Sequence, residues 1–357
     1  MTRRSVSSSR RFLRALPVCG LAATLCAVSA LAGDKPAEPG GSIGARMREI
    51  FSFNRNAVVK VQSSDTHGRI EATGFYADST RSIYTVMDVV GDGSDITVFQ
   101  GLRKLPARLL VSDPRTGIAL IKVDAATPFL PLGDSANVDA YTPVVAIGYP
   151  YDKPSAWSGG IVASLDKQYF NGSFFQTTHI RANVPVEPGF GGAPVFNLKG
   201  EVVGIVVAGV DGNSGCYAVP INAAEKIRTD YKRFGHLNPG WVGISVEDVH
   251  NDTLPSTARV TELQSGSPAN RAGVREGDIL LRVGDVAVHA PEDVFDASFY
   301  LTAGDETTVT VLRNGAEQKF TVRAAKNPCA PEDSTASTLE GSELQFETTL
   351  SSPAPGR

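Results

Sequence analysis

Cysteine is scarce in this 357-residue chain: there are four, and Cys19 and Cys26 fall in an N-terminal stretch that reads as a leader. That leaves Cys216, in a predicted strand, and Cys329, in a polar tail. A disulfide framework is thereby excluded as the organising principle, although a single pairing of these two stays open in an oxidising compartment. Histidine is nearly as sparse. His67, His179, His236, His250 and His289 are scattered, so no zinc-ligand spacing exists and neither a metal nor a cofactor is expected. The chain also lacks long apolar runs, with one exception from Ala15 to Leu31. That run follows Arg3, Arg4, Arg10, Arg11 and Arg14 and ends in Ala30-Leu31-Ala32, the layout of a secretory signal peptide over residues 1–32 rather than of a membrane span. Positive charge is short too. The formal net charge of -4 becomes -9 once the five arginines of the leader are set aside, which argues against nucleic acid or anionic lipid as a partner.

What is present is a β-rich body. Residues 33–56 form a Gly/Pro-rich linker and a short helix that Ser42 can cap, running through Arg46-Met47 to Ile50-Phe51. From Ala57 onward come many short β-branched runs, such as Ile83-Tyr84-Thr85-Val86, Ile96-Thr97-Val98-Phe99, Ile118-Ala119-Leu120-Ile121 and Val144-Val145-Ala146-Ile147, separated by Gly, Asp, Pro and Ser. Such spacing predicts an all-β barrel or sandwich over 57–236. A helix is expected from Ile221 to about Phe234, and Asn238-Pro239 marks a boundary. A smaller α+β unit fills 238–326, and 327–357 turns to Pro, Ser, Thr and Glu, the composition of a disordered tail.

Several segments stand in an informative order: "EATGFYAD" (71–78), "YTVMDVV" (84–90), "SDPRTGIALIKV" (112–123), "GYP" (148–150), "GGIVASL" (159–165), "EPGFGGAPVFNLKGEVVGI" (187–205) and "YAVPI" (217–221). They resemble the protease domain of the high-temperature-requirement (HtrA) serine proteases. "GWVGISVED" (240–248) with "SGSPANRAGVREGDILLRVGD" (265–285) is similar to a PDZ domain, which that family carries at the same place. The resemblance covers about 57–325. It implies a mostly β fold: a trypsin-like double six-stranded β-barrel followed by an α+β PDZ domain.

Serine-protease chemistry needs a hydroxyl nucleophile, an imidazole to take its proton and a carboxylate to orient the imidazole. Carried over motif by motif, the family's histidine falls on Asp88 of Thr85-Val86-Met87-Asp88-Val89-Val90. Its aspartate falls on Gly117 after Asp113-Pro114-Arg115-Thr116, and its serine on Gly191 of Gly189-Phe190-Gly191-Gly192-Ala193-Pro194. All three positions are replaced, so the expectation is a chain that is not an enzyme, a pseudoprotease. A residual oxyanion hole at the backbone N–H groups of Gly189 and Gly191 needs no side chain and supplies about 10³–10⁴ over water. Ser158 and His179 read as ordinary strand residues, Asp88 and Glu187 as a possible carboxylate pair outweighed by a helix cap or solvated acid, and Phe190 as filling the emptied cleft or packing ordinarily.

The PDZ resemblance implies peptide binding. Trp241-Val242-Gly243-Ile244 matches the loop that receives a C-terminal carboxylate, Ile244 and Val246 alternate along the strand that pairs with the peptide, and Phe295 and Phe299 are placed to wall the groove. The implied partners are polypeptides with exposed C-termini or unfolded segments, a protease relative, and two further copies in a homotrimer whose contacts fall near Phe51 and Phe53; nucleic acid is not among them. The short hairpin between 62 and 71 speaks against a larger cage. The expected role is that of an adaptor or regulator of protein quality control in the periplasm or outside the cell. The alternatives are an active endopeptidase of the same family with an unrecognised nucleophile, and a structural envelope protein with a plugged groove.

Overall fold

The computed structural model describes residues 42–326 apart from 66–67, 92–94, 126–127, 169–173, 211, 213 and 250–253. The leader and the tail expected at 1–32 and 327–357 lie outside the described residues, as does Cys329. Among the described residues no helix is long and apolar enough to cross a membrane.

Helix α1 (Ile43–Asn54) opens the described chain. Six strands follow: β1 (Val58–Asp65), β2 (Gly68–Tyr76), β3 (Ser82–Val86), β4 (Thr97–Gln100), β5 (Arg103–Asp113) and β6 (Ile118–Val123). They close into a barrel in the order β1-β2-β3-β6-β5-β4. The strands β7 (Pro143–Gly148), β8 (Ala156–Gln168), β9 (Phe174–Ala182), β10 (Pro194–Phe196), β11 (Val202–Gly209) and β12 (Cys216–Pro220) close a second barrel in the order β10-β11-β12-β9-β8-β7. Closure removes the sheet edges that short β-branched strands would otherwise expose. The cores follow from the same residues: Val59, Val61, Ile83, Val98, Ile121 and Val123 fill the first barrel, and Val144, Val162, Ile180, Val195, Val203 and Val206 the second.

Helix α2 (Ile221–Phe234) starts where β12 ends and stops at Gly235, whose φ of 79° lets its N–H return to the Tyr231 carbonyl at 2.8 Å. Its Ile221, Ala223, Ala224 and Ile227 are buried in a third apolar cluster between the barrels, with Phe75, Tyr84, Leu120, Ile147 and Phe196. The Tyr84 hydroxyl donates to Glu225 (2.6 Å), which pairs with Arg228, and Arg228 reaches Asp78.

The C-terminal part is a sheet in the order β14-β15-β16-β18-β19, from β14 (Ile244–Asp248), β15 (Ala258–Leu263), β16 (Ile279–Val283), β18 (Glu306–Arg313) and β19 (Ala316–Arg323). The short strand β17 (Val286–Ala287) pairs with β16, and β13 (Gly240–Trp241) with β20 (Ala325–Lys326). Helices α3 (Pro268–Ala272) and α4 (Glu292–Phe299) complete it. The architecture is mostly β: two six-stranded closed barrels, then a sheet with two short helices.

Candidate functional site

Two backbone turns and one helix organise the candidate sites. The first turn, Pro188–Gly192, crosses the seam between the barrels and is pinned by Thr73 of β2. The Thr73 hydroxyl donates to the Gly189 carbonyl (2.7 Å) and accepts the Tyr149 N–H (3.0 Å), while its N–H donates to the Gly191 carbonyl (2.8 Å). Thr85 donates to the Thr73 carbonyl (2.8 Å). Sequence reading missed Thr73; the signal was a polar residue that interrupts a buried apolar run in "EATGFYAD".

The turn's glycines are not equivalent. At Gly189 (φ 101°) a Cβ would collide with the Tyr149 carbonyl, and at Gly192 (φ 84°) with the Thr73 carbonyl. Gly191 has no positive φ, and its Cβ would meet only the Val86 methyl at 3.2 Å. Backbone geometry therefore demands glycine at 189 and 192 but not at 191.

The three positions carried over from the catalytic motifs fall on or border one short segment, Val86–Asp88. Val86 touches the Gly191 site from β3, and the Met87 N–H donates to the Gly117 carbonyl at 2.7 Å. Asp88 follows in the short 3-10 turn Met87–Val89 and is exposed. Gly117 (φ 70°) faces open space. The carbonyls of Pro188, Gly189, Phe190 and Gly191 are engaged, and no acceptor among the described residues takes the N–H of Gly189 or Gly191. Two backbone donors two residues apart and without an internal partner are the kind of group that can receive an anionic or carbonyl oxygen.

The neighbouring candidates separate. Glu187 is exposed like Asp88, and no ion pair or hydrogen bond links the two side chains. Phe190 is buried in the second barrel's core, its ring against Gly148, so it packs inside the barrel rather than standing in the cleft. Ser158 sits in β8 opposite Ala146. His179 is buried on β9, its Nδ1 donating to the Thr177 carbonyl (2.8 Å), and burial pushes its pKa down to about 4, so it is neutral at pH 7. Burial pushes the Cys216 thiol up to about 12, far from a reactive thiolate.

The second turn runs from Trp241 to Ile244. Its carbonyls are tied inward: Val242 accepts from the Ala269 N–H (3.0 Å), and Gly243 from the Gln264 N–H (3.4 Å) and the Ser267 hydroxyl (3.3 Å). The N–H groups of Val242 and Gly243 have no acceptor among the described residues. At Gly243 (φ 76°) a Cβ would collide with Ser267 and the Trp241 ring, so this glycine is required. Strand β14 follows at the edge of its sheet and, among the described residues, pairs only with β15. Ile244 and Val246 lean on the cluster that holds Val242, Ala297 and Leu301, with Ser245 on the opposite, exposed face.

Helix α4 shows three faces. Ala297 joins the C-terminal core, as does Leu301 just past the helix. Asp293 and Asp296 meet the second barrel: Lys167 pairs with Asp293, and Asp296 accepts from the Thr177 hydroxyl and the Thr178 N–H, both at 2.7 Å. Phe295 stands on the third face, 40% exposed. Phe299, expected beside Phe295 as a groove wall, is instead 2% exposed in the cluster between the barrels, with Arg115 stacked 4.6 Å from its ring centre. Phe299 shares a side of the helix with Phe295 but stands at the helix end, where its neighbour is Arg115 of the β5–β6 turn. Arg115 is itself fixed by the buried Asp113, with Nε–Oδ1 at 2.9 Å and Nη2–Oδ2 at 3.0 Å. Further contacts fasten the sheet to α2: Thr302 donates to Asp230 (3.1 Å), and Arg233 grips both Asp305 oxygens at 2.6 Å, lowering that carboxyl's pKa. Among the described residues no group of three or more His, Cys, Asp or Glu could hold a metal ion.

Residues 72–205 match the family model of the trypsin-like peptidase domain, and 240–323 that of the PDZ domain. The chain is 30% identical over 269 residues to a probable periplasmic serine endoprotease, DegP-like, of Pseudomonas fluorescens, covering 72% of this chain and 56% of that protein. A protein of the same description from Pseudomonas putida is 29% identical over 79% of this chain and 62% of its own length. The chain thus spans about 60% of the length of the curated relatives it matches. Among solved structures it resembles the HtrA-type protease AlgW with a tripeptide (TM-score 0.65, 21% identity, 79% of this chain and 97% of that one). It also resembles the serine endoprotease from Yersinia pestis (TM-score 0.56, 23% identity, 79% and 98%). At such identities the solved structures speak for the fold.

One expectation is corrected by these matches. The reading of the chain as no enzyme is overturned, because the relatives that align with most of it are named as serine endoproteases. The residues at three positions, taken from short motifs, do not by themselves remove a chain from that class.

Proposed function

Because the chain belongs to the HtrA family, with a trypsin-like domain and a PDZ domain in sequence, we propose that it is an exported, periplasmic, serine endoprotease-like protein that captures polypeptides by exposed C-termini or unfolded segments. The observation that carries this is the turn at 241–244. Its carbonyls are engaged, its Val242 and Gly243 N–H groups are unclaimed among the described residues, and the unpaired edge of β14 follows at once. A C-terminal carboxylate would accept those N–H groups and its chain would extend the sheet along β14, with Ile244 and Val246 under alternate side chains and Phe295 on the opposing helix. An apolar C-terminal residue suits this floor. A groove plugged by Phe299, which would have suited a purely structural protein, has no support, since that ring lies against Arg115.

For the first domain, the correspondence of Asp88, Gly117 and Gly191 with the three catalytic positions stands as part of this proposal, with Gly189 and Gly191 offering their N–H groups to a carbonyl oxygen. Endoproteolysis is the second reading, favoured by the names of the relatives; glycine at 191 offers no nucleophile, so that reading requires one elsewhere. Assembly into a trimer through α1 is proposed on Phe53, which is 77% exposed there.

One experiment tests both readings: casein cleavage and fluorescence-polarisation binding of a C-terminal peptide library, on residues 33–357, with the same peptides amidated at the C-terminus alongside. Binding of apolar C-termini that amidation abolishes is the expected result. Absence of binding to any apolar C-terminus would sink the capture proposal. Cleavage surviving removal of contaminating proteases would establish the second reading.

A further inference from the structure

The outward face of the first barrel carries charge of one sign on a protein of the other. Leu105, Ala107 and Leu109 of β5 pack on the barrel core, so Lys104, Pro106 and Arg108 alternate outward. The register across the sheet sets Lys104 opposite Phe99, Phe99 opposite Lys60, and Arg108 opposite Lys122 of β6. Phe99 is flanked by two ammonium groups, Lys60 at 4.5 Å and Lys104 at 5.5 Å from its ring centre. Glu71 answers Lys60 and Arg69 (3.6 and 3.0 Å). Among the described residues no carboxylate pairs with Arg103, Lys104, Arg108 or Lys122; Asp124 goes to Arg81 (3.7 Å), and the exposed Asp95 pairs with none of the four. Arg108 directly opposite Lys122 is a repulsive cross-strand pair that the fold itself does not need.

The hairpin joining β4 to β5 adds an apolar element. Its two-residue loop, Gly101 (φ 60°) and Leu102, ends the ribbon, and Leu102 is fully exposed with Arg103 and Lys104 beside it.

We propose that this face docks the protein on an anionic lipid bilayer. Leu102 enters the acyl boundary while Arg103, Lys104, Arg108 and Lys122 meet the headgroup phosphates. A bilayer fits better than an acidic protein because the face is the convex outside of a barrel and its apolar residue projects from the tip instead of lining a concavity. The net charge of -9 for residues 33–357, which by itself argues against anionic lipid, is a sum over the molecule and does not describe this face.

The test is co-sedimentation of residues 33–357 with vesicles of phosphatidylglycerol and phosphatidylcholine, or phosphatidylcholine alone, at 50 and 500 mM salt. Anionic vesicles should bind the chain and neutral ones should not, with binding at least tenfold weaker at high salt. Lys104→Glu with Arg108→Glu should weaken it at least tenfold; Arg108→Gln with Lys122→Gln, which removes the repulsive pair and keeps the fold, should weaken it severalfold. Leu102→Trp should blue-shift its emission on anionic vesicles. Equal binding to neutral vesicles, indifference to charge reversal, or binding to polyglutamate but to no vesicle would overturn the proposal.

Discussion

The turn at 188–192 and the turn at 241–244 share a construction and differ in how many glycines it requires. In both, carbonyls are tied into the fold and two N–H groups have no acceptor among the described residues. Both hold glycines that no other residue can replace, Gly189 and Gly192 in one and Gly243 in the other. Gly191 is the exception, since its φ is not positive and a Cβ there would meet Val86 side-chain atoms, at 3.2 Å, rather than backbone, so a small shift of Val86 is all it asks. The PDZ turn thus contains only the glycine its geometry demands, whereas the barrel turn contains one more than it needs. Glycine at 191 is thus not explained by how the chain folds there.

That contrast can be sharpened by filling the three positions matched to the catalytic motifs. On the proposed correspondence, Asp88→His with Gly117→Asp and Gly191→Ser should hydrolyse casein about 10³-fold or more faster than Gly191→Ser alone, or about 4 kcal/mol of barrier, because a lone serine lacks its base and carboxylate. Some stability is lost at residue 117, where φ is 70°. A natural chain that matches the triple variant would place its chemistry elsewhere.

The next effect is on folding. Gly189→Ala, Gly192→Ala and Gly243→Ala should each cost about 4 kcal/mol or more in urea unfolding, through a positive φ and a Cβ inside a neighbour, while Gly191→Ala should cost under about 1 kcal/mol. Equal losses at 189 and 191 would erase the distinction.

Thr73→Val removes the hydroxyl that serves both Gly189 and Tyr149 and should cost about 2–4 kcal/mol, by leaving a carbonyl and an N–H unpaired at the seam. The PDZ peptide affinity of the folded variant should not change.

A pH titration gives the last contrast. His179 titrates near pH 4 when folded and near its ordinary 6.5 when unfolded, so the unfolded chain binds the extra proton first as pH falls. Stability should be intact above pH 6.5 and decline by roughly 3 kcal/mol on the way to pH 4. His179→Gln should flatten that segment of the curve.

Much of this was legible beforehand. The β-branched runs located β3, β4, β6 and β7 within a residue or so, because closed barrels need little more than alternating burial. Helix α2 came out at Ile221–Phe234 as expected, its end marked by Gly235. The turn at 241–244 was readable because its glycine is local geometry. Phe299 was misjudged because helical spacing says which residues share a side, not which neighbour lies there; the barrel, distant in sequence, supplied Arg115. Thr73 was invisible for the same reason, since its partners lie 76 and 116 residues away.

The clamps between α4, α2 and the barrels have one more consequence. With Asp296 held by Thr177 and Thr178, Arg233 by Asp305 and Phe299 by Arg115, the turn at 241–244 is tied at a set distance from the turn at 188–192. Under the proposed capture of C-termini the molecule would then work as a ruler: a polypeptide held by its last residue could also lie across the glycine turn only if enough chain separated the two, and shorter ones would be counted out by length alone.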